Sequence, residues 1–244
     1  MSFTVIIPAR YAATRLPGKP LLDIAGKPML QHTYERALAS AAKQVIIATD
    51  DERIQQVAES FGAKVCMTKD SHASGTDRIQ EVASQLSMLD SDIVVNVQAD
   101  EPLIPPNVIK QVAENLQQHS EVGIATLCEA ITSKDDICDP NCVKVVINNQ
   151  GHALYFSRAT IPWQGSTSAK NCYRHVGIYA YRVAVLNQFT EWPVSELELT
   201  EKLEQLRALY NGVDIHVEVS SESMPPGVDT ERDLEVVRAH LGNC

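Results

Sequence analysis

Two stretches of this 244-residue chain carry side chains suited to gripping phosphate. The first is Ile7-Pro8-Ala9-Arg10 followed by Thr14-Arg15-Leu16-Pro17-Gly18-Lys19-Pro20, a basic, glycine-containing loop after an apolar run. Arg10 and Arg15 offer planar forks and Lys19 a point charge, donors suited to a triphosphate. A solvated basic turn is the competing interpretation. The second stretch, Gln98-Ala99-Asp100-Glu101-Pro102, ends the apolar run from Ile93 to Val97. A carboxylate there can hold Mg²⁺, which takes few protein ligands and shares phosphate oxygens. Alone, an Asp-Glu-Pro turn is more often a helix start. Its weight is positional, because it follows a central strand and faces the same end as the basic loop. No G-x-G-x-x-G and no G-x-x-x-x-G-K-[ST] follows the first strand, so dehydrogenase and P-loop readings fall.

Positioning these groups requires an open sheet, whose ligands bind beyond the carboxyl ends of its strands. Apolar periodicity predicts strands over 4–8, 44–49, 64–67 and 92–97, with helices over 28–40, 51–61 and 75–86 and one that follows Pro105 and Pro106 and runs to about His119. This alternation predicts βαβ units and a parallel sheet. Beyond Val122 strand-like runs over 122–128, 142–147, 152–156 and 176–181 lack regular intervening helices and predict a mixed extension. Helix returns over 198–210 and 231–240. The polar connection 164–171 reads as a mobile loop. With no repeat or linker, 1–244 reads as one domain with an inserted lobe.

A net charge of −10 argues against nucleic-acid binding, and no apolar run reaches the roughly 18 residues of a membrane span. Met1 leads straight into Phe3 to Ile7 with no basic segment, so a secretory signal is not expected and the cytoplasm is. The scattered cysteines, with only Cys138 and Cys142 close together, read as reduced thiols and not a zinc site.

The first-strand loop, an early arginine then Arg15-Leu16-Pro17-Gly18-Lys19, resembles that of sugar nucleotidyltransferases. Nearly the whole chain resembles the CMP-Kdo synthetase (3-deoxy-manno-octulosonate cytidylyltransferase) family. The likeness lies in Val5 to Lys19, Ala48-Thr49-Asp50, Ser74-Gly75-Thr76-Asp77-Arg78, Gln98 to Pro105, Ala153 to Trp163, His175 to Tyr179 and Gly227-Val228-Asp229-Thr230. Ala153-Leu154-Tyr155-Phe156-Ser157-Arg158 with Glu204-Gln205-Leu206-Arg207 separates it from CMP-sialate relatives.

That resemblance implies an α/β fold: a Rossmann-like, mostly parallel nucleotide-binding sheet flanked by helices, with a mixed-sheet sugar-binding and dimerisation extension. It implies transfer of CMP from CTP to Kdo, an acidic eight-carbon sugar, for lipopolysaccharide biosynthesis, and a homodimer. It assigns Lys19, Asp100 and Asp229 to catalysis, and Asp100 and Asp229 to Mg²⁺. Ala9, Arg10, Arg15, Lys19, Ser74 and Arg78 would hold CTP. Gln98, Arg158, His175, Tyr179, Glu204 and Gln205 would hold the sugar. In isolation His175 is more often a satisfied core histidine and Glu204 a solvated helix face. Ala99 stands where the family usually has glycine, and a Cβ there could crowd a ligand or disfavour positive φ. Transfer onto 8-amino-Kdo or another acidic keto sugar, or a non-catalytic nucleotide-sensing module, are the alternatives.

Overall fold

The computed structural model describes residues 2–12, 16–163 and 172–242, so Arg15 and the connection 164–171 lie outside the described residues. The chain runs through β1 (Thr4–Pro8), a 3-10 turn (Lys19–Leu21), a hairpin of β2 (Asp23–Ile24) and β3 (Lys27–Pro28), and α1 (Met29–Leu38). Next come β4 (Gln44–Thr49), α2 (Glu52–Ser60), β5 (Lys64–Met67), α3 (Gly75–Gln85), β6 (Ile93–Asn96) and α4 (Pro106–Gln118). The second half holds β7 (Ile124–Ala130), α5 (Lys134–Cys138), β8 (Lys144–Ile147), β9 (Ala153–Ser157), β10 (Tyr173–Arg182) and α6 (Val183–Glu191). It ends with α7 (Glu196–Glu201), α8 (Leu206–Tyr210), β11 (Ile215–Val219) and α9 (Glu231–Gly242).

Among the described residues nine strands form one sheet, ordered β11-β7-β10-β6-β1-β4-β5, with β8 and β9 branching from β10. β1 pairs in parallel with β4 and β6, and β4 with β5, so the carboxyl ends of all four share one edge. β10 runs antiparallel between β6 and β7 and makes the rest of the sheet mixed.

Alternate residues of the central strands feed two buried layers. Val5, Ile7, Ile47 and Val95 pack with Leu30 of α1, Ile54 of α2 and Val112 of α4. Ile6, Ile46, Ala48 and Val94 pack on the other face with Ile79 and Val82 of α3, Phe189 of α6 and Leu206 of α8. Because both faces are covered, these strands read as unbroken apolar runs. Each fully buried isoleucine or valine contributes about 1.5–3 kcal/mol.

The expected helix over 198–210 is in fact two. Lys202 takes a left-handed φ of 56° and ends α7. The end of β9 supplies what the broken helix loses: Arg158 Nε donates to the Glu201 carbonyl at 2.8 Å, and Ser157 Oγ to the Glu201 carboxylate at 2.6 Å. The short hairpin, α5, α6 and β11 were not anticipated either.

Candidate active site

A cavity of about 290 Å³ opens at the shared carboxyl edge of the sheet, between the first-strand loop, the start of α3 and the turn after β6. Ala9, Arg10, Lys19, Ser74, Arg78, Gln98, Asp100 and Asp229 line it, so groups assigned to nucleotide and metal, and Gln98 from the sugar set, come together. Ala9 extends β1 by donating its N–H to the Ala48 carbonyl at 2.8 Å, which points Arg10 outward at the rim. The loop then turns on Gly18, at φ 68°, where a Cβ would lie 3.0 Å from the Tyr11 ring. Glycine alone meets both demands.

Lys19 is the hub of the cavity. Its ammonium donates to Asp100 Oδ2 at 2.5 Å, to the Val228 carbonyl at 2.8 Å and to Asp229 Oδ1 at 3.2 Å. Asp229 arrives on the strap from β11 to α9. The Val228 N–H pins that strap to the Asp100 carbonyl at 2.9 Å, and a Cβ on Gly227 would stand 3.4 Å from the same oxygen. Asp233 accepts from the N–H groups of Asp229 and Thr230, at 3.0 and 2.8 Å, and starts α9.

Two carboxylates converging on one cation are the hard-oxygen donor set that suits Mg²⁺. Among the described residues no three His, Cys, Asp or Glu side chains gather to hold a metal. An ion held by Asp100 and Asp229 would therefore complete its shell with phosphate and water oxygens. Behind Asp100, Glu101 is half-buried, with its carboxyl Oε2 shielded from water and unpartnered. Burial, aided by the Asp100 charge, pushes it up to about 8. Ala99 is not among the residues with positive φ, its methyl packs in the core, and its carbonyl accepts from Thr33. The backbone here therefore does not require glycine.

The α3 side is built for rigidity. Ser74 and Asp77 form a reciprocal capping box, worth about 1 kcal/mol. Arg78, 4% exposed, donates to Thr68 Oγ1 and pairs with Asp50 at 3.3 Å, so its guanidinium is braced between the ends of β4 and β5. His72 also lines the cavity, and its Nε2 is bonded to Glu81. Burial works to raise the Glu81 carboxyl, but bonds from His72, the Lys69 N–H and Gln85 outweigh it and leave the group below its usual range. Sequence reasoning missed His72, whose signal was its place just before the capping box.

Of the remaining sugar-assigned residues, His175, Tyr179, Glu204 and Gln205 form a second group. His175 Nε2 lies 3.0 Å from Thr126 Oγ1, and burial pushes its imidazole down to about 3. Its ring centroid lies 5.3 Å from that of Tyr179. The Tyr179 hydroxyl and Gln205 Nε2 are buried without partners, polar atoms that a polyhydroxylated ligand would satisfy. Glu204 accepts from Thr76 Oγ1 at 2.6 Å, which ties this group to α3 and so to the cavity. Sequence reasoning also missed Thr76, which sits between Gly75 and Asp77 in the first turn of α3. Arg158 stands apart: its guanidinium donates to the carbonyls of Pro140, Glu201 and Lys202.

Residues 4–215 match the model of the cytidylyltransferase family. The chain is 58% identical to the 3-deoxy-manno-octulosonate cytidylyltransferase of Cellvibrio japonicus (strain Ueda107), covering 99% of this chain and 98% of the relative. It is 56% identical to that of Vibrio vulnificus (strain YJ016), covering 98% and 97%. The solved structure of CMP:2-keto-3-deoxy-manno-octonic acid synthetase complexed with CTP superposes with a TM-score of 0.92 at 45% identity, over 99% of this chain and 98% of that one. A cytidylyltransferase from Leptospira borgpetersenii serovar Hardjo-bovis, 15% identical with a TM-score of 0.66 over 100% of this chain and 87% of its own, shares the fold.

Proposed function

The chain belongs to the cytidylyltransferase family, and from that premise we propose that it transfers CMP from CTP to 3-deoxy-D-manno-octulosonate, releasing pyrophosphate, for lipopolysaccharide biosynthesis. The observation that carries this reading is the convergence of Lys19, Asp100 and Asp229 in a cavity rimmed by Arg10. The anomeric hydroxyl oxygen attacks the α-phosphorus of CTP in line, and its proton passes to solvent. The bond to the bridging oxygen breaks, and that oxygen leaves with pyrophosphate.

In this reaction Arg10 and Lys19 face the triphosphate and offset its charge as the leaving group departs. Arg78 and Ser74, locked by their own partners, form the wall for the base, so little reorganisation is needed when the nucleotide arrives. Tyr179, Glu204 and Gln205 orient the sugar hydroxyls, and Arg158, trading one carbonyl partner, pairs with the sugar carboxylate. Mg²⁺ is proposed on Asp100 and Asp229, where it would polarise phosphate oxygens and lower the pKa of a bound hydroxyl. Lys19, which bridges both carboxylates, keeps them together.

A homodimer is also proposed, supported by exposed Leu154 on β9, Leu197 and Leu199 on α7 and Tyr210 on α8. The cytoplasm is proposed as its location, supported by Cys66, Cys128, Cys138 and Cys142 being free thiols. The test is pyrophosphate release with CTP, UTP, ATP and dTTP, each with Kdo, 8-amino-Kdo and a sialic acid. Fastest turnover with CTP and Kdo is expected. Release without any sugar, or preference for another nucleotide or sugar, would overturn the assignment.

A further inference from the structure

Asp229 reaches the site on a strap, 220–230, that carries no helix or strand. Its far end is fixed where the Val228 N–H meets the Asp100 carbonyl, and its near end where the Ser220 N–H meets the Cys128 carbonyl. Between these, one residue is gripped on both of its polar groups. The Met224 N–H donates to Glu129 Oε1 at 2.6 Å, and the Met224 carbonyl accepts from Arg174 Nη2 at 3.0 Å. Glu129 and Arg174 face each other across β7 and β10 and are themselves joined, Nε to Oε2 at 2.7 Å and Nη2 to Oε2 at 2.6 Å.

The ion pair thus closes a ring around Met224, offering it the donor and acceptor that a neighbouring strand would. The Met224 side chain is 7% exposed in the core, and Pro225 and Pro226 follow, each with φ fixed by its ring. From there the free torsions concentrate at Gly227, beyond which Val228 is bonded to the Asp100 carbonyl.

The pair is a poor candidate for stability alone. The Arg174 side chain is 36% exposed, and partly exposed ion pairs contribute little. We propose that Glu129 and Arg174 are positioning residues for nucleotidyl transfer: by clamping Met224 they fix the strap that delivers Asp229 to Lys19 and Asp100. The inference rests on the transferase reading of that site.

The test uses the full chain with Glu129→Ala and Arg174→Ala, and Glu129→Gln, which keeps a carbonyl acceptor for the Met224 N–H. In both alanine variants kcat should fall 10- to 30-fold, with the KM for CTP within twofold and the melting temperature nearly unchanged. Glu129→Gln should recover most of kcat. Amide exchange at Met224 and Val228 should speed up in the alanine variants, while β1 amides keep their protection. Wild-type kcat, unchanged exchange at Val228, or loss of protection throughout the sheet would overturn the proposal. So would a rise in the KM for CTP at constant kcat. A wild type that releases no pyrophosphate would instead sink the transferase reading, and exchange at Val228 would still decide the clamp.

Discussion

Lys19, Asp100 and Asp229 act as one unit, because a single ammonium holds both carboxylates within 3.2 Å. Replacing either aspartate by asparagine keeps its size and hydrogen bonding but removes the charge shared with the lysine and the proposed ion. Each replacement should lower kcat at least about tenfold, or ~1.4 kcal/mol. Because both act at one point, the double variant should lose much less than the sum. Steady-state rates across the four-member cycle, with and without EDTA, provide the check. Strict additivity, or turnover indifferent to EDTA, would refute a shared ion. Asp100 was legible in the sequence because it ends a central strand, whereas Asp229 has no strand before it and was reached only through the resemblance. Asp233 holds the Asp229 backbone locally, but what brings Asp229 to the site is long range: Lys19 donates to its carboxylate and the neighbouring Val228 N–H to the Asp100 carbonyl, and no local pattern encodes those bonds.

At the scale of elements, period-2 and period-3.6 patterns found β1, β4, β5, β6 and α1 to α4 because their apolar faces meet one continuous core. The failures came where tertiary contacts override local propensity. Leu199, Leu203, Leu206 and Tyr210 keep helical spacing, yet the chain breaks at Lys202 and carbonyls that a continuous helix would bond internally accept from Arg158 instead. Leu203 and Leu206 are buried, while Leu199 and Tyr210 face outward, so the spacing did not mark one face. The break also sets Glu204 against Thr76. A left-handed lysine costs roughly 1 kcal/mol that glycine avoids. Lys202→Gly keeps the carbonyl that Arg158 uses, so it should stabilise the protein by about 0.5–1 kcal/mol, read as a higher denaturant midpoint. If the midpoint falls, the lysine side chain itself supports the turn.

For the molecule as a whole, two half-buried groups, Glu101 and His175, set the pH range of stability with opposite signs. Glu101 is raised from 4.5 to about 8, so it is protonated in the fold while the unfolded chain ionises it. Its contribution to stability is full below pH 4.5 and is lost as pH rises toward about 8. His175 is lowered from 6.5 to about 3, so it stays neutral in the fold while the unfolded chain gains a proton. Its contribution is full above pH 6.5 and is lost as pH falls toward about 3. Between pH 4.5 and 6.5 the two changes oppose each other, so the pair alone gives a plateau with falling arms on both sides. Each arm falls by about 1.4 kcal/mol per pH unit at most. Asp51, Asp233, Glu35 and Glu81, all lowered, steepen the acid arm further. Difference curves isolate each group: Glu101→Gln should flatten the arm above pH 6.5 and leave the acid arm alone. His175→Asn should soften the fall below pH 4.5 and leave the alkaline arm alone. Melting temperatures from pH 3 to 9 in EDTA, with each variant subtracted from wild type, measure both. A Glu101→Gln difference that does not grow between pH 5 and 8 would show that this carboxyl ionises normally in the fold despite its shielded Oε2.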